Sequence, residues 1–161
     1  MLLTGQCAIA LGSNLGDSRA ILEAALESLA ATPDIILQAR SSWYQTKAVG
    51  PPQPDYINGC ALLQVKTSPQ LLLETLLGIE AQFGRVRRER WGPRSLDLDL
   101  LLYDDLILDT PTLVLPHPRM RERAFVLVPL AEIAPDWVEP GAGIAIAELV
   151  QAVDCSGVSR I

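Results

Sequence analysis

The chain is short of the residues that staple or anchor small proteins. Its 161 residues include three cysteines, Cys7, Cys60 and Cys155, which are widely spaced and form no CxxC pair. That pattern excludes a disulfide framework and the common zinc modules, and it points to a reducing compartment. No apolar run approaches the ~20 residues that a membrane span needs. The opening Met-Leu-Leu-Thr-Gly-Gln has neither a basic segment nor a long apolar one, so no secretory signal is expected. Aromatic residues are only 5% of the chain and no RNP-type motif is present, which argues against a base-stacking RNA module. The common phosphate-binding signatures, GxxxxGK[ST], GxGxxG and the HRD/DFG set, are missing as well. Lysine is scarce, with Lys47 and Lys66 the only two. The net charge of −6 excludes a diffuse basic surface, so any anion site has to be local.

What is present is a packed globular composition, 49% hydrophobic and 20% charged, and a single domain over 1–161 in the cytoplasm is expected. Of the thirteen basic residues all but the two lysines are arginines, and five of them, Arg85, Arg87, Arg88, Arg90 and Arg94, crowd around the single acid Glu89. Arg119, Arg121 and Arg123 form a smaller group. Forked guanidinium donors match phosphate oxygens, so the bias toward arginine favours anion recognition. A solvated basic loop is the competing reading of the cluster taken alone.

Residues 6–11 read as a buried strand, followed by a turn over 12–17 and a helix in which Ile21, Ala24, Ala25 and Leu29 recur until Pro33. A strand is expected over 35–46, a loop over the proline-rich 49–54, and a strand over 56–65. Ser68 and Pro69 open a helix that carries Leu72, Leu73, Leu76, Leu77 and Ile79 to about Phe83 and stops at Gly84. Residues 95–103 read as a strand with a hairpin partner at 106–108, 125–133 as a helix broken by Pro129, and 144–153 as a last helix. This order predicts an α+β fold: a ferredoxin-like βαββαβ core, an antiparallel sheet with helices on one face, and extra C-terminal elements.

Ser95-Leu-Asp-Leu-Asp-Leu-Leu101 alternates apolar and polar residues. On a strand Asp97 and Asp99 then share a face, about 7 Å apart, while Leu96, Leu98 and Leu100 enter the core. Paired carboxylates at that spacing can converge on hard cations. An amphipathic strand with a wet face is the bland alternative, but aspartate is a poor strand former and these two follow five arginines. Acids for Mg²⁺ beside arginines for phosphate are the equipment of nucleotide-dependent phosphoryl transfer.

These residues are similar to those of a known family. Ala8-Ile-Ala-Leu-Gly-Ser-Asn-Leu-Gly-Asp17, Gly50-Pro51, Gln53-Pro-Asp-Tyr-Ile-Asn58, Glu80 with Gly84-Arg-Val-Arg87, Arg90-Trp-Gly-Pro-Arg-Ser-Leu-Asp-Leu-Asp99, Pro116-His117 and Arg123 through Phe125 to Pro129-Leu-Ala-Glu-Ile-Ala-Pro135 resemble the 6-hydroxymethyl-7,8-dihydropterin pyrophosphokinases of folate biosynthesis. The resemblance implies a ferredoxin-like fold and transfer of the terminal diphosphate of ATP to the hydroxymethyl group of a reduced pterin, with release of AMP. It implies two Mg²⁺ ions on Asp97 and Asp99, and Arg85 and Arg94 acting with these acids in catalysis. It places the nucleotide against Glu80, Arg85, Arg87, Arg90, Trp91, Arg94, Leu100, His117 and Arg123. It places the pterin between Tyr56 and Phe125, with Asn58 bonding the ring and Thr46 and Val49 nearby. The expected partners are these small molecules, with no nucleic acid or membrane, and the expected state is a monomer.

Several of these residues also have readings of their own. Tyr56 and Asn58 are i and i+2 on a strand, so a stacking ring and an amide share one face; core aromatics are the alternative for Tyr56 and Phe125. Glu80 falls on the apolar stripe of its helix, where a carboxylate wants a cationic partner such as Arg85 or Arg87, or else orients a ligand. Trp91 either shields a closed site or anchors its loop.

Overall fold

The computed structural model describes residues 4–14, 17–47, 55–83 and 95–161. Chain order is β1 (Gly5–Ser13), α1 (Ser18–Ala31), β2 (Ile35–Arg40), β3 (Tyr44–Thr46), β4 (Tyr56–Val65), α2 (Pro69–Gln82), β5 (Asp97–Tyr103), β6 (Leu108–Asp109), β7 (Val114–Leu115), a 3-10 turn (Met120–Glu122), α3 (Ala124–Ile133), β8 (Val138–Glu139), β9 (Ile144–Ala145), α4 (Ile146–Gln151) and β10 (Val158–Arg160). The helices begin where the local chemistry favours it. The Asp17 carboxylate accepts the Ala20 N–H at 3.2 Å at the head of α1. The Ser68 hydroxyl accepts the Leu71 N–H at 3.2 Å, with Pro69 at the first position of α2.

Six strands form one antiparallel sheet in the order β10-β3-β4-β1-β5, with β2 also paired to β4. The central strand β1 is buried on both sides. Cys7, Ile9 and Leu11 face Leu22, Ala25 and Leu29 of α1 and Leu72 and Leu76 of α2. Ala8 and Ala10 face the opposite way, toward Val126, Leu127 and Leu130 of α3 and Ile146 of α4. Helices therefore cover both faces of the sheet, which corrects the expectation of one. No helix among the described residues is long and apolar enough to cross a membrane.

Four local readings change. The strand expected over 35–46 is two strands, β2 and β3, because the chain bends between them to lay the ring of Trp43, 3% exposed, over Gly59. A Cβ on Gly59 would stand 2.5 Å from that ring. The segment at 106–108 does not pair with β5; Leu108 and Asp109 instead pair with Leu115 and Val114 in a separate ribbon. Helix α3 runs through Pro129 without a break. The last helix is shorter than expected, since Ile144 and Ala145 pair with Glu139 and Val138 before α4 begins.

On β5 the register to β1 slips at Ala8/Ile9, so Leu101 is an extra residue between Leu100 and Leu102. Leu101 and Leu102 both join the core under α3. The face that is polar at Asp97 and Asp99 is thus apolar beyond them.

Candidate functional site

The paired register sets the acids beside the other predicted residues. Gly12 lies opposite both Asn58 and Asp97, so Asn58, Gly12 and Asp97 make one row across β4, β1 and β5. Cys60, Ala10 and Asp99 make the next. Asp97 and Asp99 are half-buried, while Leu96, Leu98 and Leu100 are buried on the other face at 0%, 4% and 3% exposure, as the alternation predicts. Between the acids, the Leu98 N–H donates to Oε2 of the buried Glu80 at 2.7 Å.

Two residues away from Asn58 stands Tyr56, opposite Thr46 on β3. Oδ1 of Asn58 and Oγ1 of Thr46 are buried and have no hydrogen-bond partner among the described residues. Buried polar atoms are nearly always paired, so these two, on neighbouring strands, are candidate contacts for a polar ligand; Ser13 Oγ and Glu139 Oε2 are likewise buried without a hydrogen-bond partner among the described residues. A Cβ on Gly12 would approach the Asn58 Nδ2 to 3.0 Å, so the absent side chain leaves the room in which the Asn58 amide lies.

The first turn of α3 supplies the cover. Arg123 caps the helix, and its guanidinium lies 5.5 Å from the centroid of the Phe125 ring. Both side chains are half-buried. Burial and the neighbouring Arg119 hold the Arg123 pKa below its ordinary value, against the attraction of Asp99 and Glu122. His117 is held by its backbone N–H to the Leu101 carbonyl at 2.9 Å, and its Nδ1 accepts the Arg119 N–H at 3.3 Å. Burial, and then Arg123 and Arg119, push its pKa down, although Asp99 pulls the other way. The neutral imidazole with Nδ1 engaged carries its proton on Nε2, a donor suited to an anion.

A cleft with a volume of about 260 Å³ opens at the outer edge of β5. Asp99, His117 and Pro118 line it on one side, Leu73, Leu98 and Leu100 on another, and 110–114 of the β6–β7 ribbon close it. Leu100 reaches this cleft from the core face rather than from the acidic one.

The described residues hold no group of three or more His, Cys, Asp or Glu placed to bind a metal. Two oxygen donors on one strand nevertheless fit Mg²⁺, which commonly takes one or two carboxylates and completes its shell with water and substrate phosphates. Of the predicted residues, Asp97, Asp99, Glu80, Leu100, His117, Arg123, Thr46, Tyr56, Asn58 and Phe125 are described. Val49, Arg85, Arg87, Arg90, Trp91 and Arg94 lie outside the described residues.

Sequence reasoning missed Gly12 as the residue that makes room for Asn58; the Gly12–Gly16 spacing was the available signal. It also missed the ribbon wall at 110–114, for which the sequence offers only two two-residue strands.

A mixed α/β protein that gathers paired acids, a half-buried arginine and unpaired amide and hydroxyl oxygens along one antiparallel sheet belongs among the small-molecule transferases. More narrowly, the chain belongs to the 7,8-dihydro-6-hydroxymethylpterin-pyrophosphokinase family, whose profile matches residues 8–135. It is 54% identical over 150 residues to the 2-amino-4-hydroxy-6-hydroxymethyldihydropteridine pyrophosphokinase of Synechocystis, covering 93% of this chain and 77% of that one. It is 47% identical over 154 residues to the Methylorubrum extorquens protein of the same name, covering 95% and 96%. The crystal structure of Plasmodium falciparum HPPK-DHPS with pteroate superposes with a TM-score of 0.74 at 12% identity, over 93% of this chain and 42% of that one. At that identity the likeness speaks for the fold. The family makes this chain a pyrophosphokinase, an ATP-dependent diphosphotransferase.

Proposed function

We propose that this chain moves the terminal diphosphate of ATP onto the hydroxymethyl group of 6-hydroxymethyl-7,8-dihydropterin, releasing AMP, as a step of folate biosynthesis. The observation that carries the assignment to this site is the pair of orphaned buried oxygens, Asn58 Oδ1 in the row of Asp97 and Thr46 Oγ1 on the neighbouring strand. A flat heterocycle with an amide-like edge satisfies both. Tyr56 and Phe125 then offer ring faces on its two sides.

The apolar walls of the edge cleft suit the nucleotide base, and Asp99 and His117 at its rim set the phosphates next to the acids. Arg123 and His117 donate to phosphate oxygens, and the family resemblance assigns the nucleotide also to Arg85, Arg87, Arg90, Trp91 and Arg94. Two Mg²⁺ ions, when bound, neutralise charge at the phosphate oxygens. Asp97 and Asp99 would hold them. The hydroxyl oxygen of the pterin forms a bond to the β-phosphorus as the bond to the oxygen of the α-phosphate breaks. Asp97, in the row of Asn58, holds the hydroxyl in line and takes its proton. Glu80 keeps the strand that bears both acids in place through Leu98.

The fold reading behind this site is a ferredoxin-like βαββαβ core with C-terminal additions, one domain over 1–161. A cytoplasmic monomer that works on small molecules alone, without nucleic acid or membrane, completes the proposal. Incubation with ATP, Mg²⁺ and the reduced pterin should yield AMP and the pterin diphosphate. Formation of ADP, or no consumption of pterin, would refute the reaction.

A further inference from the structure

Two contacts of the proposed pterin pocket sit on different elements. Phe125 rides on α3, whereas Thr46 sits on β3, a three-residue strand held between β4 and β10. Among the hydrogen bonds of α3, the Cys60 thiol donates to the Val126 carbonyl at 3.5 Å, which ties the helix to β4. A different residue reaches β3. Glu132 lies seven positions after Phe125, two turns along the same side of the helix. Its Oε1 accepts the Tyr44 hydroxyl at 2.5 Å and the Ser42 N–H at 3.1 Å. Its Oε2 accepts the same N–H at 3.0 Å and the Ser42 hydroxyl at 3.1 Å.

Tyr44 is the first residue of β3, and Thr46 is the third. Tyr44 pairs with Asn58 on one side and with Arg160 of β10 on the other, so the clamp meets the strand where the pocket's amide also stands. Burial pushes the Glu132 pKa up, but the bonds from Tyr44 and Ser42 and the charge of Arg160 bring it below its ordinary value. The group is therefore an anion at neutral pH. Glu132 is itself exposed, and its carboxylate gathers these donors at the bend while still open to solvent, which fixes its geometry.

We infer that Glu132 is a positioning residue for the pterin pocket, clamping the helix that carries Phe125 to the strand that carries Thr46 and so setting the width of the slot. The inference rests on the proposed pterin site. Releasing the clamp lets β3 drift from α3 and loosens the slot. The acids on β5 and the base cleft at its outer edge stay as they are.

The test compares Glu132→Ala, Glu132→Gln and Tyr44→Phe with the wild-type chain. Pterin and ATP-analogue affinities are measured by titration, and pterin KM and kcat from steady-state rates. Glu132→Ala should raise pterin Kd and KM by about tenfold, the loss expected of a few hydrogen bonds, with nucleotide Kd changed less than about twofold. Glu132→Gln keeps an acceptor oxygen and should recover most of the loss. Tyr44→Phe removes one bond of the set and should fall between. Equal weakening of both ligands, an unchanged pterin KM with a lower Tm, or a Gln variant no better than Ala would overturn the clamp. Should Glu132→Ala fail to fold, Tyr44→Phe decides: a raised pterin KM supports the clamp and an unchanged one overturns it. Asn58→Ala keeps the two readings apart. If it leaves pterin binding intact, the pocket itself is misplaced; if it weakens pterin while Glu132→Ala does not, the clamp alone fails.

Discussion

The carboxylate of Glu80 accepts the backbone N–H of Leu98 at 2.7 Å, and Leu98 is the residue between Asp97 and Asp99. Glu80 is 4% exposed, on the face of α2 that packs against the sheet. A charged acceptor on a buried N–H is among the stronger hydrogen bonds available, so α2 fixes the height of the strand that presents both acids. Glu80→Ala strands that N–H at a cost of about 1–3 kcal/mol. We expect a lower urea midpoint together with a lower kcat, and Glu80→Gln, whose amide oxygen still accepts, should restore most of both. Unchanged unfolding and turnover in the Ala variant would show that the bond positions nothing.

Replacing either acid should have the opposite balance between stability and rate. Asp97 and Asp99 are half-buried on a strand whose leucines form the core, so Asp97→Ala or Asp99→Ala should leave the fold intact. Lost metal binding and charge placement can each remove several kcal/mol of barrier lowering, so turnover should fall about a thousandfold or more. Calorimetry should show that Mg²⁺ no longer strengthens binding of an ATP analogue. Near-wild-type rates at saturating Mg²⁺ would refute the assignment.

A third prediction concerns acid stability. Arg40 donates two hydrogen bonds to Glu23, at 2.5 and 2.7 Å, and lies over the Trp43 ring at 5.0 Å, while the Trp43 indole N–H donates to Glu23 at 2.9 Å. The bond from Arg40, and next that from Trp43, bring the Glu23 pKa down from 4.5 to about 2. A depressed carboxylate stabilises the folded chain above its unfolded pKa, and that contribution is lost as pH falls from about 4.5 to about 2. Urea unfolding across this window should lose stability less steeply in Glu23→Gln than in the wild type. Identical slopes would mean that the staple is too well solvated to matter.

What the sequence exposed and what it hid follow from the range of the interactions. The alternation that sends Leu96, Leu98 and Leu100 inward and Asp97 and Asp99 outward is local, as are the Ser68-Pro69 start of α2 and the pairing of Tyr56 with Asn58 on one face. The division of 35–46 into β2 and β3 depends on Trp43 meeting Gly59, a tertiary contact that leaves no mark on the apolar pattern of either strand. Helices on both faces follow from β1, whose buried side chains point alternately both ways, so its continuous apolar run carries the information without the periodicity that would place a helix. Glu132 had no local signal at all, because its donors Ser42 and Tyr44 lie 90 and 88 residues away in sequence. The resemblance supplied His117 and Arg123, which nothing in their immediate sequence would have brought to Asp99.

The last prediction turns on the smallest residue in the site. Gly12 faces Asn58 across β1 and β4, and a Cβ there would stand 3.0 Å from the Asn58 Nδ2 and 3.8 Å from the Ile57 carbonyl oxygen. The backbone cannot retreat, since both strands are central in the sheet, so the Asn58 amide has to give by a few tenths of an ångström. That displacement moves Oδ1 away from the ligand edge it is proposed to meet. Gly12→Ala should therefore weaken pterin binding on the order of tenfold, as loss of one good hydrogen bond in a desolvated slot would. Asp97 is also opposite Gly12, but no atom of Asp97 lies among the close neighbours of the added Cβ. Affinity for the ATP analogue should accordingly stay within about twofold, a change smaller than one hydrogen bond. Combining Gly12→Ala with Asn58→Ala should cost little more than Asn58→Ala alone, because once the amide is gone the methyl group displaces nothing. Fully additive losses in that cycle would place the effect of Gly12 in the strand pairing and separate it from Asn58.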